Sequence, residues 1–227
     1  PGFASSLPAG REGVNNKDLG GRLSWKLVPG QTLDFDASYS QQGNIYTGDT
    51  QNVRSNATVD SMIGKETNGM EKRTYAVTHK GTYDFGSSLS YVQLSKTENS
   101  RIQEGLVAAL EGMSAAGTPN FVTNDLKEWT AHSEVNVPFK AGFDQVLTAG
   151  VEWAEQKLSD PTSNTQATTF GTIPGVSSTG RSGKSSAKIL SFFLEDNIDL
   201  GHATLLTPGV RFDRHSESGD NWSPALN

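Results

Sequence analysis

Residues 126–158 read as one long amphipathic hairpin, and few folds can accommodate it. On the first arm Trp129, Ala131, Val135, Val137 and Phe139 alternate with Glu128, Thr130, His132, Glu134 and Asn136. A short turn over 140–144 leads to a return arm, where Leu147, Ala149, Val151 and Trp153 alternate with Thr148, Gly150 and Glu152. Successive side chains of a strand point to opposite faces, so each arm is apolar on one side and polar on the other. Both arms exceed the usual strand of about five or six residues. A strand of roughly ten residues with one face of each kind suits a membrane β-barrel, with lipid outside and a wet lumen inside. Taken alone, the hairpin fits a soluble antiparallel sheet equally well.

Composition favours the barrel. Hydrophobic residues make up 34% of the chain and the mean hydropathy is -0.48. That is low for an ordinary packed core and suits a barrel with a polar inner face and polar loops. No apolar run approaches the ~18–20 residues of a transmembrane helix, which leaves barrel strands untouched. The absence of cysteine removes disulfide frameworks, thiolate metal sites and cysteine nucleophiles. A formal charge of -6 argues against a nucleic-acid partner, which calls for a basic footprint. The chain starts at Pro1 without Met or a signal peptide, and no terminal strand is evident before Asn227. These features lead us to expect an internal segment of a longer chain, so the missing signal peptide says nothing about export.

In chain order the hairpin pattern repeats. Residues 1–18 read as loop. Leu23, Trp25 and Leu27 alternate in a strand over 19–28, and Pro29-Gly30 is a turn signal. The return strand over 31–42 sets Leu33, Phe35, Ala37 and Tyr39 against Asp34, Asp36 and Ser38. Residues 43–70 form a long polar loop. Strands over 71–84 and 88–97 follow, the second alternating poorly because Leu89 and Tyr91 compete with Val92 and Leu94; a bulge and a covered inner face both fit. The second long loop spans 99–125 and the third 159–186. Strands over 187–200 and 204–213 complete the count, with Phe193 out of phase and Pro208 implying local irregularity. The expectation is therefore an all-β chain of about eight antiparallel strands. Loops beyond ~12–15 residues are uncommon in compact domains. Here three of them occupy every second connection and so share one end. Short turns at one end and long loops at the other is the organisation of an outer-membrane barrel.

Particular words then carry a resemblance. Gly10-Arg11-Glu12-Gly13-Val14 precedes the first strand, and residues 42–52 (QGNIYTGDTQN) open the first long loop. Residues 99–106 (NSRIQEGL) open the second; His132-Ser133-Glu134-Val135-Asn136 and residues 163–167 (SNTQA) follow. The chain ends on residues 207–213 (TPGVRFD) and 221–227 (NWSPALN). Together these resemble the TonB-dependent receptors for ferric enterobactin and related catecholate siderophores, over nearly the whole chain. The resemblance implies a barrel of about 22 strands filled by an N-terminal plug that engages TonB, and an outer-membrane location with lipid around the barrel. Residues 1–227 would then be a partial barrel domain without the plug, roughly a third of the strands. The implied function is uptake of a ferric catecholate siderophore, with no resident cofactor and iron arriving as the ligand complex. A passive porin is the structural alternative and an outer-membrane hydrolase the enzymatic one.

The resemblance also implies where the ligand is met. Ferric catecholates are bulky, aromatic and anionic, and arginine can both face the oxygens and stack on the rings. Arg101 matches the arginine of the second-loop word; pairing with Glu98 or Glu104 is its ordinary alternative. Tyr46 matches an aromatic of the first-loop word and could equally anchor that loop. Lys72 and Arg73 stand where the first loop returns to the barrel, as ligand contacts or rim charges. Arg181 is a further cation in the third loop. Gln103, Gly69, Val59 and Ile63 depart from the family pattern and leave fewer rings and cations, so a related catecholate is also plausible. His79, His132, His202 and His215 show no metal-ligand spacing. His132 and Ser133 are strand neighbours, so they face apart and cannot form a base–nucleophile pair. Asp34, Asp36, Glu152 and Glu155 read as lumen or rim charges.

Overall fold

The structure, a computed structural model, describes residues 13–45, 64–102, 121–161 and 183–227. Its strands are β1 (Gly13–Val28), β2 (Gln31–Ile45), β3 (Glu66–Tyr83), β4 (Gly86–Ile102) and β5 (Phe121–Ala141). They continue with β6 (Phe143–Ser159), β7 (Lys184–Gly201), β8 (Thr204–Leu206), β9 (Pro208–His215) and β10 (Gly219–Leu226). All belong to one antiparallel sheet in the order β1-β2-β3-β4-β5-β6-β7-β9-β10, with β8 paired to β7. Each strand follows its sequence neighbour, as an up-and-down meander requires. The sheet is open, with β1 and β10 at its edges.

The register sorts side chains into two faces. One row runs Phe35, Val77, Val92, Ala131, Trp153 and Leu190 across β2 to β7. The neighbouring row on the opposite face carries Asp34, Thr78, Tyr91, His132, Glu152, Ser191 and Asp213. Nothing covers the apolar face: Leu23 is 67% exposed, Val92 49% and Phe192 51%. Among the described residues the largest fully buried side chain is Ser191. A soluble sandwich would bury its apolar face in a core; this sheet turns it outward, as a lipid-facing wall does.

Several strand boundaries differ from the sequence expectation, mostly at the long-loop end. β1 begins at Gly13, inside the stretch read as loop, and β5 begins at Phe121 rather than near 126. Backbone pairing continues there after apolar alternation has stopped, because ladder hydrogen bonds do not require an apolar face. The last strand is divided at Thr207, which sits between β8 and β9 and donates from Oγ1 to Asn197 Oδ1 at 3.0 Å. That is the irregularity Pro208 implies. A terminal strand, β10, is present where none was expected. Trp222 packs its ring 4.8 Å from Phe212, and Pro224 pairs with Val210 in the same ladder. The described strands number ten, two more than expected.

The two irregular strands also resolve. The β4 register runs unbroken from Gly86 to Ile102, so there is no bulge. Val92 and Leu94 lie outward in line with Val77 and Tyr75, while Leu89 and Tyr91 lie inward. Phe193 is inward too and pairs with Gly150. A Cβ at residue 150 would lie 2.2 Å from the tip of the Phe193 ring, so the ring occupies the space that glycine leaves. At the first turn Gly30 has φ +80, which Pro29-Gly30 favours, and its carbonyl accepts the Thr82 N–H at 2.7 Å.

Candidate ligand-facing surface

The inward face is built by the polar half of each alternating strand. At its centre His132 lies between the rings of Tyr91 and Phe193, with centroids at 5.1 and 5.8 Å. Its Nε2 is 3.2 Å from Glu134 and its Nδ1 3.4 Å from Glu152. Arg211 spans the next strands, donating from Nη2 to Glu152 at 3.1 Å and to Ser191 Oγ at 2.8 Å. Its Nε donates to Asp213 at 2.7 Å, and Ser191 Oγ donates to the same carboxylate at 2.6 Å. Farther along the sheet Lys80 pairs with Asp34 at 3.0 Å and Arg22 with Asp36 at 2.6 Å. The result is a wall of charges held by their neighbours, facing what would be a barrel interior.

This network was only partly visible in the sequence. Asp34, Asp36 and Glu152 are inward as expected. Arg211 carried a signal, since it alternates with Val210 and Phe212, but its partners come from β6 and β7. Glu155 belongs to the other face, opposite Trp129, where it meets Lys157 at 3.0 Å and Lys188 at 3.3 Å. Ser133 also points outward and shares a 2.8 Å hydrogen bond with Ser90, so His132 and Ser133 do face apart.

Toward the long-loop end the sheet separates the expected contact residues. Arg101, near the end of β4, pairs with Asn68 of β3 and Val122 of β5 and takes the inward phase. Lys72 is inward as well, opposite Ser40 and Thr97. The two lie on adjacent strands, four residues apart in register, or ~13 Å along the strands. Arg73 does not join them. As the neighbour of Lys72 it takes the outward phase, where it is ion-paired with Glu71. Its geometry is that of a rim charge, the alternative the sequence left open. Tyr46 and Arg181 lie outside the described residues. Among the described residues no cluster of histidine and carboxylate side chains is arranged to hold a metal ion.

Long loops at one end, an uncovered apolar face and a charged inner wall define a membrane barrel, and comparison specifies which. Residues 5–227 match the family model described as TonB dependent receptor-like, beta-barrel. The chain belongs to that family. TonB-dependent receptor barrels are outer-membrane structures, which accounts for the exposed apolar face. The chain is 58% identical to the ferric enterobactin receptor of Pseudomonas aeruginosa over 99% of its own length and 30% of that protein's. It is 48% identical to the ferrienterobactin receptor of Escherichia coli, over 99% of this chain and 31% of the relative. The fold superposes with a TM-score of 0.84 on a crystal structure of a variant P. aeruginosa ferric enterobactin receptor, at 57% identity, covering 98% of this chain and 32% of that one. An arginine-to-alanine variant of the same receptor, solved in complex with enterobactin, gives a TM-score of 0.82. The chain thus spans about a third of the length of the relatives it matches.

Proposed function

We propose that this chain is part of the barrel of a TonB-dependent receptor that takes up a ferric catecholate siderophore such as ferric enterobactin, with energy delivered through TonB and a plug domain. The observation that carries this reading is the 58% identity to a ferric enterobactin receptor, extending across 99% of the chain, loops included. The geometry supports it: two cations, Lys72 and Arg101, share the inward face close to where the long loops leave the sheet. An anionic ligand descending from those loops meets them before it reaches the ion-paired wall below. Crystallised variants of the P. aeruginosa receptor replace an arginine, and a glutamine two positions later, with alanine. The one Arg-x-Gln sequence in this chain is Arg101-Ile102-Gln103. That spacing supports Arg101 as a ligand contact, and it counts Gln103 with the family pattern, from which the sequence expectation had set it apart.

The test is growth. The full-length receptor carrying this chain is expressed in a strain lacking its own catecholate receptors, with ferric enterobactin as the sole iron source. Growth is expected when TonB is present and absent when TonB is deleted. Growth in both strains would instead assign the barrel to passive, porin-like permeation.

A further inference from the structure

Two ionisable side chains stand in the apolar zone of the outward face. His79 of β3 lies in the outward phase between Val77 and Gly81, and Asp196 of β7 between Leu194 and Ile198. Ionisable groups facing hydrocarbon are costly and persist where something pairs with them. Within the chain these two find little. His79 Nε2 lies 3.1 Å from Gln31 Oε1, and Asp196 Oδ1 is buried without a hydrogen-bond partner. Among the described residues neither side chain is ion-paired. From this pair to the short turns, no lysine or arginine of β3 to β7 takes the outward phase; Lys80 and Lys140 both take the inward one.

The two groups lie at one depth. The register puts His79 in line with Phe192, through Ser90, Ser133 and Val151, and Asp196 is four residues nearer the short turns. From β3 to β7 is four strand spacings, ~19 Å, and four residues are ~13 Å along a strand. The line joining the two groups is thus inclined by ~35° to the rungs of the ladder, which matches the strand tilt of a membrane barrel. A line so inclined runs parallel to the membrane plane. The turns step the same way: Glu195 is in line with Thr82, yet β3 ends at Tyr83 whereas β7 runs on to Gly201. Between His79 and Asp196 the outward face presents the short side chains of Ser88, Ser90, Val135 and Ala149. A shallow hollow of about 290 Å³ beside His79 is lined by Val77, Ser90, Ala131, Ser133 and Val151.

We propose that a second copy of the receptor docks on this part of the outward face, about a two-fold axis along the membrane normal that passes beside Val135 of β5. Rotation about the normal preserves depth and exchanges the two sides of the axis. His79 of each copy therefore meets Asp196 of the other, twice per dimer, as a closed two-fold interface requires. Imidazole and carboxylate form a charge-assisted hydrogen bond, strengthened where water is absent. A barrel wall is convex, so two copies touch at β5 and draw apart toward β3 and β7, a gap that the long His79 side chain spans. Short side chains near the axis admit the close approach on which association in lipid depends. The interface rests on the membrane-barrel fold and is independent of which siderophore the receptor takes.

The experiment uses the full-length receptor carrying this chain, in the outer membrane of intact cells at low expression, with a short bis-maleimide as the cross-linker. This chain contains no cysteine, so Val135→Cys reports on the axis, and Leu23→Cys, outward on β1, is the control. Only receptor that migrates as a folded barrel is scored. Cross-linking of the receptor to itself is expected from Val135→Cys and not from Leu23→Cys. Adding Asp196→Asn or His79→Gln should lower dimer formation roughly tenfold, because each dimer loses two hydrogen bonds. The exchange His79→Asp/Asp196→His keeps the pair with its ends swapped and should restore the dimer. Absent cross-linking at Val135→Cys, or equal cross-linking at both positions, would overturn the interface. So would a dimer unchanged by Asp196→Asn and His79→Gln, no recovery in the exchanged variant, or capture of a different protein at Val135→Cys.

Discussion

Arg101 stands at the inward phase of β4 where the second long connection begins, so its charge is carried on paired backbone. That placement makes its contribution to an anionic ligand measurable. Hydrogen bonds to charged groups contribute about 1.5–3 kcal/mol net, and salt screening near an open loop favours the low end. Arg101→Ala should therefore weaken binding of ferric enterobactin roughly tenfold. Arg101→Lys should recover part of this, because it restores charge without the planar surface. Arg54→Ala, outside the family words, should do less; radiolabelled ligand on cells expressing each full-length variant gives the comparison. Gly150 carries a different kind of constraint. With His132 stacked on the Phe193 ring, a Cβ at residue 150 forces the ring to shift. Gly150→Ala is expected to destabilise the barrel by about 1–3 kcal/mol. Adding Phe193→Leu should return part of the loss in urea unfolding.

At the level of elements, β4 and β5 show how paired strands settle polar groups on either side of the lipid boundary. Ser90 and Ser133 face outward within the apolar zone and satisfy each other at 2.8 Å. Removing one hydroxyl strands its partner, whereas removing both strands nothing. Ser133→Ala should cost about 0.5–1 kcal/mol, and Ser90→Ala/Ser133→Ala should cost less than either single change. Comparable loss in the double variant would show that the pair contributes through something other than its hydrogen bond. Beyond the apolar series, the Lys96 ammonium donates to Glu98 and holds its carboxyl below the usual carboxylate range, with burial opposing. A carboxyl whose folded value is depressed adds stability above its unfolded value and loses it as pH falls through the folded one. Wild type should thus be more stable than Glu98→Gln at neutral pH, and the two thermal unfolding curves should converge in acid.

At the scale of the molecule the described residues form a sheet with its faces reversed relative to a soluble domain: the apolar side looks out and the charged side looks in. The consequence is a strong asymmetry between adjacent residues. Val77 is outward and 42% exposed, whereas Thr78 is inward and paired with Asp34. Val77→Arg places a cation in hydrocarbon and should cost about 2–4 kcal/mol in barrel unfolding from lipid vesicles. Thr78→Arg, one residue away, gains a carboxylate neighbour and should cost much less. Equal costs would mean that the apolar face is not in contact with lipid.

The fold was legible in the sequence to the extent that alternation expressed it. Trp129 to Phe139 and Leu147 to Trp153 announced strand, length and facing at once, because a strand places alternate residues on opposite faces without help from any neighbour. The spacing of long and short connections announced the end at which the loops gather. Recognisable words around Arg101 and in the terminal residues pointed to the family before any coordinate did. Tertiary structure decided whatever depends on register. It brought Lys72 and Arg101 together on the inward face, extended β1 and β5 through polar stretches, and added β10 at the edge. It seated Phe193 over Gly150 and drew Arg211 to Glu152 across β7. Alternation with Tyr75 and Val77 already sets the facing of Arg73; the cross-strand pairings are not encoded locally, because each joins residues from different strands whose alignment is set only when the backbone ladders form and lipid takes up the apolar face.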